Sequence, residues 1–326
     1  MQLKISINPL FSSKIIAMPL LSIIIPCYFN AENLPSTFQE LFDNEKNFPQ
    51  NTDFEYVMID DGSKDATYTV LYGYYLRFPK KIKIIKLAKN VGAYNALAAG
   101  FRYATGDCCV VITADLQDPP ALIPQLFAHW QNGYKLVIAN REDRQDRRHD
   151  RLFATIFHRL IRRFGLQNLP KGGYDFVLFD AVLRDAVVQI NEKNTNILYL
   201  MLWLGYDYVT VPYTRQKRKI GQSRWTFAKK LKLFIDSFVS FSYAPIRFIS
   251  AMGLILGLLA VVYALFLIVN KLFGFIQVSG WTTMMVVMVL LGGFQMTALG
   301  VIGEYVWRIL DESRRRPSFV VEKEHL

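Results

Sequence analysis

From Leu20 to about Asn140, short apolar runs rich in β-branched residues alternate with longer stretches of mixed character. LSIIIPC (21–27), FEYVMID (54–60), KIKIIKL (81–87), CCVVIT (108–113) and KLVIAN (135–140) predict strands. The segments between them, near Leu34–Phe42, Ala66–Phe78, Tyr94–Ala104 and Ala121–Asn132, predict helices. Strands alternating with helices of this length describe βαβ units on a parallel sheet, an α/β class. In open sheets of that kind, ligands sit beyond the carboxyl ends of the strands. Three of the runs end in chemically pointed sequences, PCYFNAEN, DDGSKD and TADLQD, which marks that edge as the place to look for a site.

Residues 141–225 are less regular and rich in arginine. A cluster of Arg141, Arg144, Arg147, Arg148 and Arg151 precedes Arg159, Arg162 and Arg163. KGGYDFVLFD (171–180) predicts a loop and a strand, two helical stretches follow, and RQKRKIGQSRW (215–225) forms a second basic run.

The pattern changes after Arg247. Phe248–Val269 and Trp281–Gly303 contain no charged residue, and each matches the roughly 20 apolar residues needed to cross a bilayer. A buried helix of a soluble protein is the competing reading, which two such runs in tandem disfavour. The connecting loop is short, so the two spans, about 248–270 and 281–303, form a hairpin within residues 248–310. Lys229, Lys230, Lys232 and Arg247 precede it and Arg308 and Arg314–Arg316 follow, against Lys271 alone in the loop. Positive-inside counting places both ends and the large domain in the cytoplasm. Residues 226–247 mix lysines with Phe, Leu and Ile, as in helices that lie in the membrane interface; an ordinary amphipathic surface helix has the same pattern. Residues 311–326 are expected as a cytoplasmic tail and residues 1–19 as an extension. That extension has no uninterrupted apolar core or small-residue cleavage site of a secretory signal.

Charge and cysteine usage narrow the chemistry. The net charge is +11, from 38 Lys+Arg and 27 Asp+Glu. This suits phosphate-bearing partners, and equally the cytoplasmic flanks of membrane segments. Nucleic acid is not the expected partner, because no binding module or basic-aromatic platform occurs. Cys27, Cys108 and Cys109 form no CxxC pair and read as buried free thiols of a reducing compartment. The four histidines are scattered, without metal-ligand spacing.

Asp115 and Gln117, on alternate positions after the fourth strand, offer hard oxygens of the kind Mg²⁺ and Mn²⁺ prefer, completed by ligand phosphates. An aspartate capping the next helix is the structural alternative for Asp115. DDGSKD reads either as a turn and helix cap or as a carboxylate gripping a base or ribose. Neither GxGxxG nor GxxxxGK[ST] occurs, so dinucleotide and P-loop chemistry lack their phosphate loops.

Taken in order, IIPCYFNAEN, VMIDDGSKD, KNVGAYNALAAGFRYATGD, ADLQDPP and RKIGQSRW resemble glycosyltransferase family 2. Within it the chain resembles the polyprenyl-phosphate glycosyltransferases, the bactoprenol glucosyltransferases first and dolichyl-phosphate mannose synthase more distantly, from about Leu20 to Arg316. The resemblance implies a GT-A fold over residues 20–225, a nucleotide-sugar donor with UDP-glucose favoured, Mg²⁺ or Mn²⁺, and a polyprenyl phosphate acceptor at the bacterial inner membrane. It also implies a homo-tetramer. Pro26, Tyr28 and Glu32 would line the base pocket, although the usual Tyr-Asn-Glu is spaced out here as Tyr-Phe-Asn-Ala-Glu. Asp60 would hold the base with Asp61 beside it, and Asp115 and Gln117 the metal and diphosphate. Arg141, Arg144, Asp175, Arg218, Ser223 and Arg224 would shape the acceptor side, with Asp115, Arg141 and Arg218 carrying catalysis. Thr113 stands where the family usually has a first aspartate, and Arg224-Trp225 where Lys-Tyr is usual. QSRW echoes the QxxRW of processive synthases one residue short, and two spans are too few for an export channel.

The implied reaction is a single inverting displacement at the anomeric carbon. A phosphate monoester oxygen is already anionic at neutral pH and needs no general base, which fits the absence of an evident catalytic histidine. The basic runs would draw the lipid phosphate from the headgroup layer, or form a solvated face attracted to anionic lipid. Transfer of N-acetylglucosamine or another sugar, and a membrane-anchored nucleotide-sugar binder without turnover, are the alternative functions.

Overall fold

A computed structural model describes residues 18–143, 158–170, 173–190, 192–216, 227–273 and 280–326. The apolar runs form strands β1 (Leu20–Cys27), β2 (Asp53–Asp60), β3 (Ile82–Leu87), β4 (Cys108–Val111) and β5 (Leu136–Asp143). Helices α1 (Leu34–Glu45), α2 (Thr67–Arg77), α3 (Ala93–Tyr103) and α4 (Ile123–Gln131) connect them. Three further strands, β6 (Val177–Asp180), β7 (Tyr208–Thr214) and β8 (Val321–His325), complete an eight-stranded sheet of order β7-β5-β6-β4-β1-β2-β3-β8. β1 to β4 are mutually parallel, and β6 and β8 run antiparallel to their neighbours. This is the mixed sheet of a GT-A-like α/β fold.

Both faces of the sheet are covered, which is why its central strands are continuous apolar runs rather than alternating ones. In β1, Ile24 packs with α3 residues such as Ala96 and Phe101 on one face. Ile23 and Ile25 pack with Phe38 of α1 and Phe127 of α4 on the other. The α3 contact is so close that a Cβ at Gly100 would lie 2.5 Å from Ile24 Cγ2. The three cysteines are buried and free, as the composition implied.

Two edges depart from the sequence reading. β7 falls where no strand is expected; it is an edge strand, the position that tolerates Pro212. Residues 311–326 do not trail away: β8 pairs antiparallel with β3, and Lys86 meets Glu322 at 3.0 Å. The apolar runs lie in helices Ala244–Leu272 and Trp281–Ser313. Both are long and apolar enough to cross a membrane, and their apolar windows are wholly unburied by the rest of the chain. The basic amphipathic stretch before them forms helix Phe227–Phe241.

Candidate functional site

The parallel register brings the ends of β1 and β2 level, with Cys27 opposite Asp60, and β4 ends beside Ile24. A cavity of about 630 Å³ opens over this carboxyl edge, within the range of small-molecule sites. One side is built from the turn after β1 (Pro26 to Asn30), Asp61, the Asn90–Asn95 segment and Thr113 to Asp115. The lining also includes Lys193, Asn194 and Thr195 with Lys232, Leu233 and Asp236 of helix Phe227–Phe241. The amphipathic helix thus shares one cavity with the strand ends.

Local sequence explains the shape of each wall. Phe29, after β1, has φ 56°, a left-handed conformation costly for a bulky residue. Two hydroxyls hold it there: Phe29 N donates to Ser63 Oγ (3.0 Å) and Asn30 N to Thr67 Oγ1 (2.9 Å), tying the β1 exit to the β2 exit. Asp61 accepts from Val91 N (2.7 Å), Gly92 N (3.1 Å) and Asn90 Nδ2 (2.8 Å), and so sets the entry to α3. Gly62 makes that approach possible. It has φ +66°, and a Cβ there would sit 2.6 Å from Asn90 N. Asp61 therefore lines the cavity as the brace of its neighbouring wall.

Asp60 is fully buried at the end of β2. Its Oδ1 accepts from Ser63 N at 2.9 Å, while Oδ2 has no hydrogen-bond partner among the described residues. Burial pushes its carboxyl above the usual aspartate value; the Ser63 hydrogen bonds and nearby Lys86 only partly oppose this. Asp60 is adjacent in register to the lining residue Cys27, without itself being part of the lining.

The loop after β4 is braced from behind. Leu116 has φ 55°, and Asp115 Oδ1 accepts from Gln117 N at 3.3 Å. Asp118, fully buried, accepts from Thr113 Oγ1 (3.1 Å) and Tyr213 Oη (2.6 Å), and lies 3.6 Å from Arg215 Nε. Arg141 Nε donates to Tyr213 Oη (3.1 Å) and its Nη2 meets Asp175 at 2.6 Å. Burial pushes the Asp175 carboxyl up, but Arg141 and Arg215 outweigh it and hold it below the usual range. The loop that presents Asp115 is thereby fixed to β5 and β7 through one connected set of hydrogen bonds and charges.

The structure brings together Pro26, Tyr28, Asp61 and Asp115 in the cavity, with Asp60 adjacent. Glu32 is exposed and outside the lining, which Asn30 and Asn33 on either side of it join. Gln117 also lies outside: its Nε2 donates to Gln216 O at 3.4 Å, and Gln216 N donates to its backbone carbonyl at 2.9 Å. Arg141 and Asp175 pair with each other behind the loop rather than in the cavity. Arg144, Arg218, Ser223 and Arg224 lie outside the described residues. Sequence reading missed Asp118, Tyr213, Lys193, Asn194 and Asp236. Asp118 alone carried a signal, as the second acid of TADLQD.

Among the described residues no three His, Cys, Asp or Glu converge as a metal cage. Asp115, half-buried at the cavity wall, can supply one carboxylate. That donor set fits a hard cation held through one or two carboxylates plus ligand phosphates, not one held by protein alone.

The description "Glycosyl transferase family 2" matches residues 22–248. The chain is 37% identical to an uncharacterized glycosyltransferase of Synechocystis sp., over 92% of this chain and 94% of that protein. It is 30% identical to the SfII prophage-derived bactoprenol glucosyl transferase of Shigella flexneri, over 94% of this chain and 98% of that one. A solved mannosyl-3-phosphoglycerate synthase from Rubrobacter xylanophilus gives a TM-score of 0.47 at 15% identity, covering 72% of this chain and 75% of that one. That likeness is too loose to bear on substrate.

Proposed function

The chain belongs to glycosyl transferase family 2, and on that premise we propose that it transfers a sugar from a nucleotide sugar to polyprenyl phosphate at the cytoplasmic face of a bacterial membrane. UDP-glucose is the favoured donor, since relatives aligned over nearly the whole chain, hairpin included, bear the name bactoprenol glucosyl transferase. The observation that carries the reading is one cavity that joins the strand ends to a basic amphipathic helix beside two membrane-length apolar helices.

In this reading the unpartnered Oδ2 of Asp60 accepts the N–H of the base, and Pro26 and Tyr28 flank it. The brace from Asp118 to Asp175 keeps Asp115 aimed at the diphosphate, so the reacting atoms are held rather than gathered at each turnover. Asp115, together with the ligand's own phosphates, would hold Mg²⁺ or Mn²⁺. When bound, such a cation neutralises charge on the departing nucleoside diphosphate. Lys232 faces the lipid side of the cavity, where the acceptor phosphate enters. That phosphate attacks the anomeric carbon directly, with inversion, and no side-chain base is needed. Arg144, Arg218, Ser223 and Arg224 are assigned to the acceptor side by their place in the family motifs.

Transfer from labelled UDP-glucose and other donors to undecaprenyl phosphate in detergent tests this. UDP-glucose should label the lipid, EDTA should abolish labelling, and Asp115→Ala should slow it by about a hundredfold or more. Undiminished labelling by Asp115→Ala would remove Asp115 from the scheme. Thr113 favours a second reading, binding without turnover, because its hydroxyl serves Asp118 and adds no carboxylate to the cavity. Tight UDP binding with no labelled lipid from any donor would establish that reading instead.

A further inference from the structure

The lipid-side wall of the cavity is gripped by the second long apolar helix. Arg308, on Trp281–Ser313, places Nη2 2.7 Å from Asp236 Oδ1 and Nη1 3.2 Å from the Asn194 carbonyl oxygen. Its Nε and Nη2 also reach Glu304, one turn earlier, at 3.1 and 2.8 Å. Nearby Asp311 accepts from Asn194 Nδ2 at 3.1 Å, and its backbone carbonyl accepts from Lys193 Nζ at 3.2 Å. Ser240 Oγ adds a 3.0 Å bond to the Asn194 carbonyl from the amphipathic helix. Lys193, Asn194 and Asp236 all line the cavity. The Arg308 side chain is 14% exposed and that of Asp236 16%, so this pair is poorly screened by solvent.

We infer that Arg308 is a positioning residue for the acceptor: it holds Asp236 and the Asn194 carbonyl in place and, shared with Glu304, offsets part of the Asp236 charge where an anionic lipid phosphate must pass. The inference rests on the proposed function and deepens it by coupling the apolar hairpin to acceptor entry. An uncompensated carboxylate at this wall would repel a phosphate monoester, and a half-buried site weakens that repulsion little. The proposed donor contacts, at the ends of β1, β2 and β4, do not involve Arg308. Loss of the guanidinium therefore raises the lipid KM and spares nucleotide binding. Because the fault is an exposed negative charge, removing that charge relieves it.

The test uses full-length protein in detergent, with undecaprenyl phosphate titrated at saturating donor and UDP binding measured separately. Arg308→Gln should raise the lipid KM about tenfold, a usual size for coupling between two sites, with UDP affinity within about twofold of wild type. Arg308→Lys, which keeps the charge but not the fork, should fall between. Arg308→Gln with Asp236→Asn should recover most of the lost lipid affinity. A wild-type lipid KM in Arg308→Gln, a parallel loss of UDP affinity, or a double variant no better than the single one each overturns the inference. If Arg308→Gln cannot be purified folded, Arg308→Lys decides on the same two readouts. Wild-type protein that labels no lipid phosphate at all would instead sink the proposed function, and this inference with it.

Discussion

Glu55 and Asp60 lie on the same strand, β2, and both are withdrawn from water, at 5% and 0% exposure. Glu55, towards the amino end, is fully engaged. Lys83 Nζ lies 2.8 Å from Oε2, the Thr105 hydroxyl and the Ser22 hydroxyl donate to it, and Gly106 N donates at 3.2 Å. Burial pushes its carboxyl up, but Lys83 and these hydrogen bonds outweigh it and hold it below the usual value. Asp60, at the carboxyl end, has one oxygen served by Ser63 and the other without a partner among the described residues, and burial wins. An unsatisfied buried acceptor costs about 1–3 kcal/mol. The same end carries the left-handed Phe29 and Leu116, each a strain of about 1–3 kcal/mol. One end of the sheet is fully satisfied; the other, beside the cavity, keeps a buried carboxylate oxygen without a partner among the described residues.

The sharpest way to break this contrast is at its stable end. Glu55→Gln leaves Lys83 without its charge partner and should cost about 3 kcal/mol in urea unfolding. A Glu whose folded value is depressed stabilises above its unfolded value and loses this as pH falls through the folded one. The difference between wild type and Glu55→Gln should therefore shrink as pH drops below about 4.5. At the other end the sign reverses. The Asp60 folded value lies above the ordinary 3.8, so the folded state binds the extra proton and stability declines as pH rises through that window. Asp60→Asn should therefore unfold at neutral pH no more easily than wild type, with a gain of about 1 kcal/mol; a clear loss would mean the buried carboxylate serves the fold. The smallest effect is expected at Glu32, which the family motif places in the base pocket and the structure places in solvent. Glu32→Ala should change stability by less than about 0.5 kcal/mol and leave UDP affinity within about twofold. A larger loss of affinity would restore it to the pocket.

The parallel core was legible because both of its faces are buried, so β1 to β5 stand out as apolar runs whatever their neighbours. β8 was not. Its residues VEKEH are mostly exposed, and it exists by pairing with β3 from the far side of the apolar hairpin, a long-range contact no local pattern encodes. β7 was hidden by Pro212 and the adjoining basic run, although Val211 and Tyr213 alternate inward. Of the cavity lining, Tyr28, Asp61 and Asp115 were legible because strand ends project them toward one edge. Asp118 and Arg141 were harder to place, because their work is to hold the Asp115 loop through Tyr213. The part of the cavity lining formed by Asn194 and Asp236 was illegible: it is held by Arg308, far along the chain.

The account stands most directly on a calorimetric titration of UDP into wild type and Asp60→Asn, run beside their unfolding curves. It predicts that Asp60→Asn binds UDP at least about tenfold more weakly, about 1.4 kcal/mol, while unfolding no earlier. Equal UDP affinity in the two proteins would contradict it, since the incomplete oxygen at the end of β2 would then have no part in holding the nucleotide.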